Sequence, residues 1–395
     1  MRSYQAFSDE IENLDLAVEQ LAAQIEKFDL SGSSGGILFC GSEVDTSLLC
    51  EKLWNRFKLP FIGTTCLGQF TSNGYREASI CLNLFAGEDL CFSGGMSNDL
   101  TRENMSEEIK EAYRVLKKNM TKPEVAIILY IPWLPSVVYD DILDALSEAS
   151  GGVPIFGGIC SDEWEFNNCH AMYSQGSFTN RAAMLLVGGN FNPKFVTSFS
   201  INWSMENAVM VTKASGATVY EIDGQPAIDY LKSTGLVFLH DNVFSDCLAS
   251  PMIFRYTTPD GEKYSVLRNL FMANEEDGSV TFAGRVFEGS KMTMALTSRI
   301  TINQSIGTPI DRLIDEMKKD RDYVHSGILV SSCTGRYCLT VADKDTECSA
   351  LQRAVDSNLI IAGGYLNGEF CPVRDENTGK YITLLNNETF TLMAF

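Results

Sequence analysis

A turn of similar sequence occurs three times in this chain, and it constrains the fold more than any other feature. Each copy consists of an apolar run, a glycine, four further residues, a small or acidic residue, then Glu or Gln and an aromatic residue. The copies lie at Leu59–Phe70, Val153–Trp164 and Leu359–Phe370. A strand-like run and a helix-like stretch precede each copy. A pattern repeated in this way predicts one structural unit used three times.

The C-terminal copy belongs to a longer stretch, Ser326–Pro372, that has the pattern of a strand, a helix and a second strand. Gly327–Val330 and Leu359–Ala362 have the length and apolar character of buried strands. Between them, Asp345–Ser357 has apolar side chains at helical spacing. This order predicts a βαβ-type unit. Ligands of open α/β sheets bind where the strands end, so residues that follow the two runs are candidates for a ligand site.

The fold class predicted for the whole chain is α/β (mixed α+β), with two domains built from repeated βαβ-type units and added antiparallel strands. Residues 1–30 are expected to form an N-terminal amphipathic helix. Residues 31–205 form the expected N-terminal domain, which repeats one plan twice: strand, helix, strand, glycine turn and two strands. Residues 206–395 form the expected C-terminal domain.

The composition is that of an ordinary soluble globular protein, with 45% hydrophobic residues. No apolar run approaches the roughly 18 residues of a transmembrane helix, and the polar, acidic N-terminus resembles neither a signal peptide nor a transit peptide. The net charge of −20 repels phosphate backbones and anionic lipid. We therefore expect a cytoplasmic protein with no membrane insertion and no nucleic-acid partner.

The 12 cysteines are spread along the chain, and none forms a Cys-X-X-Cys pair. Several lie in apolar runs, where a thiol packs as a small hydrophobic group. The pattern predicts neither a disulfide framework nor a structural zinc site, although Cys160, Cys169 and His170 remain an alternative set of metal ligands. Glycine-rich phosphate-binding motifs of the P-loop and dinucleotide types are absent from the sequence.

Short motifs in a fixed order connect the chain to a known family. They are Phe61–Thr65, Ile155–Gly158, Glu221–Ala227, Ser332–Arg336, Glu347 and Gly364–Glu369. With these motifs the chain resembles the FIST family of sensory proteins over roughly residues 30 to 395, as an N-terminal and a C-terminal FIST domain.

The resemblance implies a cytoplasmic ligand-sensing module for small molecules such as amino acids. It also implies a signalling partner such as a kinase, a cyclase or a chemoreceptor. No such domain is fused within the 395 residues, so we expect the signal to pass to another protein. Some relatives bind haem and sense nitric oxide, which is an alternative function and would require an axial ligand. His240 is the candidate ligand, and no other cofactor is expected.

Arg336 and Glu369 follow the two strand-like runs of the C-terminal unit and are predicted to bind the ligand. A guanidinium group at a strand end can hold a carboxylate in a bidentate pair, and a fixed carboxylate can receive an ammonium group. Together they would suit a zwitterion such as an amino acid. The structural alternative for Arg336 is a salt bridge to Glu347 or Glu369, and the structural alternatives for Glu369 are a helix cap or that pairing with Arg336.

Other candidate ligand-binding residues lie in the three turns. The glycines are Gly63, Gly157, Gly158 and Gly364. Glycine permits a tight turn, and whether the N–H groups also face a ligand is left open. Asp162 and Glu163 are assigned to the position in the second turn that corresponds to Glu369. They are expected either to line a second pocket or to be exposed loop acids.

Cys333 is a further candidate ligand-binding residue and the basis of an alternative function, a small-molecule hydrolase or transferase. A cysteine nucleophile needs a base, and of the 3 histidines only His325 is near in sequence. His325 precedes the first strand of the C-terminal unit and Cys333 follows it, so they are expected at opposite ends. No catalytic residue is therefore predicted, and a binding module is favoured over an enzyme.

Overall fold

The computed structural model describes most of the chain, and its mixed sheets and helices confirm the predicted fold class. The described residues are 1–135, 137–201, 203–236, 247–257, 263–340, 343–374 and 381–395.

Two successive units of the same order form the N-terminal half. The first comprises β1 (Arg2–Ser8), α1 (Leu14–Ile25), β2 (Ser33–Cys40), α2 (Thr46–Phe57), β3 (Phe61–Thr65), β4 (Leu67–Thr71), β5 (Gly74–Arg76) and β6 (Ile80–Gly87). The second comprises β7 (Leu90–Met96), α3 (Met105–Lys117), β8 (Glu124–Ile131), α4 (Tyr139–Ser150), β9 (Ile155–Ile159), β10 (Ala171–Tyr173), β11 (Gly176–Phe178) and β12 (Ala183–Gly189).

The third unit begins with β13 (Lys194–Phe199) and is then interrupted by an inserted sheet of nine strands. The insert comprises β14 (Trp203–Ser204), β15 (Val209–Ser215), β16 (Thr218–Ile222), β17 (Gln225–Pro226), α5 (Ala227–Ser233), β18 (Met252–Thr257), β19 (Lys263–Arg268), β20 (Leu270–Asn274), β21 (Ser279–Phe282) and β22 (Lys291–Leu296).

After the insert, the third unit continues in the same order as the first two. It comprises α6 (Arg299–Ser305), α7 (Gly307–Lys319), β23 (Gly327–Cys333), α8 (Thr334–Leu339), α9 (Thr346–Ala354), β24 (Ile360–Leu366), β25 (Glu369–Arg374), β26 (Tyr381–Asn386) and β27 (Thr389–Ala394).

The hairpin of each unit joins the sheet of another unit, and this exchange closes the three units into a ring. The hairpin β10–β11 pairs with β3 of the first unit, and β25–β26 pairs with β9 of the second. The hairpin β4–β5 pairs with β24 of the third unit. Each of the three resulting sheets has six strands around one parallel pair. The prediction of one unit used three times is confirmed, and we call this assembly the three-unit ring.

The N-terminal segment contains a strand in addition to the predicted helix. Strand β1 pairs with β6 along its whole length, from Arg2 opposite Ala86 to Ser8 opposite Ile80. Only Ala6 and Ser8 of β1 are buried, which leaves too weak an alternation to predict a strand at a sheet edge. The helix starts later than expected because Asn13 caps it, accepting a hydrogen bond from the backbone N–H of Leu16.

Both predicted domains contribute strands to the same sheets. Strand β13, near the end of 31–205, pairs with β27, with Lys194 opposite Ala394. Apolar side chains from all three units, among them Ile37, Ile128 and Leu329, line a cavity of about 10 Å³. The three units therefore share one tightly packed interior.

Two arginines attach the inserted sheet to the three-unit ring. The buried Arg268 donates to Asp140 Oδ1 of α4 at 2.9 Å and to the carbonyl oxygen of Leu385 in β26 at 2.7 Å. Arg285 donates to Asp144 Oδ2 of α4 at 2.6 Å. Asn269 directly follows Arg268 in the insert. Its side chain contacts the third unit, where it bonds to Glu388.

Candidate functional site

The three glycine turns meet where the parallel strands end. The backbone N–H of Ser161 donates to the carbonyl oxygen of Thr65 at 3.1 Å, and that of Asn367 donates to Ile159 at 2.9 Å. The hydroxyl of Ser161 donates to the carbonyl oxygen of Tyr365 at 2.7 Å. The turns are therefore bonded directly to one another.

The glycines of these turns allow neighbouring backbones to approach closely. Gly157 and Gly363 have φ of 142° and 149°, and a Cβ at either position would lie 2.0 Å from a carbonyl oxygen of the adjacent parallel strand. A Cβ at Gly63, Gly158 or Gly364 would lie 2.6, 2.5 or 2.5 Å from its nearest neighbour. Close strand packing thus explains why glycine occupies all five positions.

The second turn differs from the other two in length, which changes the correspondence inferred from sequence. Gln69 and Glu369 hold equivalent positions in the strands that cross to the neighbouring sheet. In the second unit this position is taken by Ala171 of β10. The assignment of Glu163 to the position of Glu369 is therefore wrong. Residues 160–170 form a longer loop in this unit. A residue at the same spacing from the glycine therefore does not occupy the same position in the crossing strand.

Asp162 supports this longer loop from within. It is 3% exposed, and its carboxylate accepts hydrogen bonds from the backbone N–H groups of Phe166, Asn167 and Asn168 at 2.9–3.0 Å. Glu163, the next residue, is exposed. The geometry of Asp162 is that of a carboxylate that organises a loop.

Arg336 forms an internal ion pair with Glu347, which was the structural alternative considered from the sequence. The guanidinium Nε and Nη2 donate to Glu347 Oε1 at 2.8 and 2.6 Å, and Nη1 donates to Ser200 Oγ at 3.0 Å. Glu347 Oε2 accepts from Ser332 Oγ at 2.7 Å. Arg336 and Glu347 are 1% and 2% exposed. Each nitrogen of the guanidinium is therefore bonded within the protein.

Glu369 is fully buried at the start of β25, and only one of its carboxyl oxygens is bonded to an N–H or O–H group of the described residues. Oε2 accepts hydrogen bonds from the hydroxyl and backbone N–H of Thr389, at 2.6 and 3.3 Å. No N–H or O–H group of the described residues donates to Oε1. Burial raises the pKa of Glu369 well above its ordinary value, and the hydrogen bonds from Thr389 oppose this shift.

Glu388 is a second buried carboxyl group in the same place, and the sequence did not identify it. It lies in the turn between β26 and β27, is 2% exposed and has a φ of 56°. Its Oε1 accepts a hydrogen bond from Asn269 Nδ2 of the inserted sheet at 2.8 Å. Burial raises the pKa of Glu388 to about 7. Asn269 directly follows Arg268, which explains how the insert delivers this contact.

Four buried oxygens in this region have no N–H or O–H donor among the described residues: Glu369 Oε1, Glu388 Oε2, Asn269 Oδ1 and Asn387 Oδ1. We call these four residues the acceptor cluster. The Cys333 thiol donates a hydrogen bond to the Glu369 carboxyl group. When both carboxyl groups are ionised, all four atoms are acceptors. A buried polar atom without a partner costs free energy. The arrangement therefore fits a group that brings several N–H or O–H donors, and it disfavours an anion.

Cys333 lies beside the acceptor cluster and is 3% exposed. Burial raises the pKa of its thiol well above the ordinary value, and the negative charges of Glu369 and Glu388 raise it further. A protonated thiol is a poor nucleophile. His325 lies beyond the other end of β23, as predicted, and its Nε2 is 3.2 Å from Asp320 Oδ2.

One of the residues considered as a metal ligand, His170, already has hydrogen-bond partners at both ring nitrogens. His170 Nδ1 and Nε2 each lie 2.9 Å from a side-chain oxygen, of Ser177 and Asn168 respectively. His240 lies outside the described residues. Within the described ranges, no three His, Cys, Asp or Glu side chains are placed to hold one metal ion. None of the helices in the described residues is long and apolar enough to cross a lipid bilayer.

Two domain models match this chain. The FIST N domain matches residues 34–225, and the FIST C domain matches residues 230–372. An uncharacterized protein of Methanocaldococcus jannaschii is 25% identical over 217 residues, which cover 50% of this chain and 38% of that protein. The match thus spans well under half the length of that relative.

Solved structures with a similar course of the chain include two cyanuric acid hydrolases and a chorismatase. The hydrolase from A. caulinodans has a TM-score of 0.40 at 9% identity, covering 100% of this chain and 97% of that one. The second hydrolase has a TM-score of 0.35 at 10% identity, covering 100% of this chain and 99% of that one. The chorismatase has a TM-score of 0.37 at 10% identity, covering 99% of this chain and 97% of that one. Likeness at this level carries no inference about function.

Proposed function

Because this chain belongs to the FIST family, whose domains are associated with the sensing of small ligands in signal transduction, we propose that it senses a small ligand bearing an ammonium group. An amino acid is one such ligand. The observation that carries the proposal is the acceptor cluster, with four buried oxygens that have no N–H or O–H donor among the described residues. The ligand's ammonium group would occupy this cluster.

An ammonium group matches the cluster in both hydrogen bonding and charge. It has three N–H donors and no acceptor. The free oxygens of Glu369 and Glu388 would accept charge-assisted hydrogen bonds, which are stronger than those between neutral groups. Asn269 and Asn387 would accept from the remaining donor. The binding of a cation would also favour the ionised form of both carboxyl groups.

The proposal keeps one half of the zwitterion site expected from the sequence. Glu369 remains the partner of the ligand's ammonium group, and Glu388 joins it. Arg336 is bonded to Glu347 and Ser200, so we do not assign the ligand's carboxylate to it. An amino-acid ligand would therefore be recognised first by its ammonium group.

Signalling would follow from the position of the cluster between two parts of the molecule. Asn269 belongs to the inserted sheet, whereas Glu369 and Glu388 belong to the third unit. An ammonium group would bridge Asn269 to Glu369 and Glu388, so occupancy would favour the placement of the insert in which these residues lie together. We propose that a separate signalling protein in the cytoplasm, such as a kinase, cyclase or chemoreceptor, responds to this change.

The proposal is tested with Glu369→Gln, which removes a carboxylate from the cluster at nearly constant volume. We expect a ligand found among amino acids and simple amines to lose at least about tenfold in affinity, because one charge-assisted hydrogen bond is lost. Ligands would be identified by thermal shift, since a ligand at about one hundred times its Kd adds roughly 2.7 kcal/mol of stability.

The matched control is Glu163→Gln, which alters an exposed carboxylate in the loop of the second unit. It should leave the affinity unchanged. A panel in which organic acids or nucleotides stabilise the protein and amines do not would contradict the proposal. So would equal loss of affinity in both variants.

Ligand affinity is expected to depend on pH through Glu388. In the free protein its pKa is about 7, so the carboxyl is mostly protonated below that pH. Ammonium binding favours the ionised form and must release the proton there. The affinity should therefore increase by at least about tenfold per pH unit below 7 and less steeply above it, because Glu369 also has a raised pKa and must release its own proton.

Isothermal titration in buffers of different ionisation enthalpy would measure this release directly. We expect at least about one proton per bound ligand at pH 6 and fewer at pH 8. An affinity that stays constant from pH 5.5 to 8 would be inconsistent with an ammonium group beside Glu388. In Glu388→Gln the pH dependence should become weaker, with only the contribution of Glu369 remaining.

A further inference from the structure

Three partly buried aromatic side chains form a second cluster close to the acceptor cluster. Trp133 follows β8, Phe166 lies in the loop 160–170, and Phe271 lies in β20 of the inserted sheet. The ring centroids of Trp133 are 4.9 Å from those of both Phe166 and Phe271, and the two phenylalanine rings are 5.8 Å apart. We call these three residues the aromatic cluster.

The loop that carries Phe166 is held in an unfavourable backbone conformation. Trp164 and Phe166 have φ of 69° and 56°, in the left-handed region that bulky side chains rarely adopt. Asp162 stabilises this conformation through the three hydrogen bonds described above. Strained backbone that is braced in this way occurs preferentially at binding sites. The loop has this length only in the second unit, so it is not required to build the repeated fold.

Two connections place the aromatic cluster beside the acceptor cluster. Phe271 is two residues after Asn269, whose side chain bonds to Glu388. On the other side, Asn367 Nδ2 donates to the carbonyl oxygen of Cys160, where the loop begins, at 3.0 Å. Asn367 Oδ1 accepts from Thr334 Oγ1 at 3.1 Å, and Thr334 directly follows Cys333. Both clusters therefore lie at the same end of the parallel strands.

We propose that the aromatic cluster is the apolar part of the ligand site, and that the ligand is a primary amine with an aromatic or other bulky apolar substituent. This inference rests on the proposed function, because it takes the ammonium group to occupy the acceptor cluster. Ligand sites combine apolar and aromatic walls with a few polar groups that fix orientation. Aromatic faces also attract a nearby cation. Trp133, Phe166 and Phe271 thus determine which amines bind.

The test compares 2-phenylethylamine with methylamine by isothermal titration on the full chain. The two share an ammonium group and differ in the apolar substituent. We expect 2-phenylethylamine to bind at least about tenfold more tightly, because its phenyl group is removed from water. Phe271→Ala should abolish most of this preference, while Glu369→Gln should weaken both amines.

The control is Met272→Ala, which removes an exposed side chain from the same strand. It should leave the preference for 2-phenylethylamine intact. If Phe271→Ala does not fold, Phe271→Leu keeps the volume largely filled and should reduce the preference in the same direction. Quenching or shift of tryptophan emission by 2-phenylethylamine, reduced in Trp133→Phe, is an independent readout of contact with the aromatic cluster.

The outcomes separate this inference from the proposed function. If methylamine and 2-phenylethylamine bind equally, and both require Glu369, the aromatic cluster does not contribute and only the inference fails. A preference that survives in both Phe271 variants would likewise overturn the inference alone. If neither amine binds at any accessible concentration, the acceptor cluster is not an ammonium site and both proposals fail.

Discussion

Replacing Glu347 with alanine is expected to lower the free energy of unfolding by about 3–5 kcal/mol, because it leaves the guanidinium of Arg336 buried without its counter-charge. Both side chains are at most 2% exposed, so water does not compensate for the lost partner. Urea denaturation followed by circular dichroism would measure the change. The double variant Arg336→Met with Glu347→Leu should recover most of it, since apolar groups can replace a buried ion pair.

Glu316→Ala is the control for this experiment. Glu316 pairs with Lys319 on an exposed face of α7, and we expect a change of at most about 1 kcal/mol. A similarly small change in Glu347→Ala would mean that Arg336 gains access to solvent. In that case the guanidinium would again be available to a ligand.

Replacing Gly363 with alanine is expected to destabilise the protein by about 2–5 kcal/mol, through backbone strain and steric overlap together. Its φ is 149°, and the new Cβ would lie 2.0 Å from the carbonyl oxygen of Val330 on the adjacent strand. Neither the backbone of β23 nor that of β24 can move away without breaking the parallel pairing. The same denaturation measurement applies.

Gly224→Ala separates the two contributions. Gly224 also has a positive φ, 76°, but a Cβ there meets nothing within 4 Å. This variant should lose only about 1–2 kcal/mol, the conformational part. Equal losses at both positions would show that the approach to Val330 is not limiting.

The sequence predicted the repeated unit because each copy of the turn places glycine at a position where no side chain fits. The residue of the second unit that is equivalent to Glu369 was harder to predict. Its spacing from the glycine pointed to Glu163, but the longer loop of the second unit places Ala171 at this position of the crossing strand. A local pattern specifies a turn, whereas strand register depends on the partner strand, which lies in another unit.

The residues of the proposed site were identified from the sequence only in part, for a related reason. Glu369 and Cys333 stood out because they follow strand-like runs. Glu388 did not, because Asn386, Asn387 and Glu388 between two strands are typical of an exposed hairpin turn. Burial of that turn depends on Asn269, which is distant in sequence. Arg336 was recognised, but only the structure distinguishes its pairing with Glu347 from a role in binding.

The exchange of hairpins has a consequence for how the chain acquires its structure. The contact between β4 and β24 joins residues almost 300 positions apart, Gln69 and Gly364, and it completes the third sheet. Contacts at such separation in sequence form slowly. Until this one forms, the edge of β24 offers unpaired backbone groups to other chains. The repeats are units of sequence, but only the whole ring is a unit of folding, and it cannot close before β27 has been synthesised.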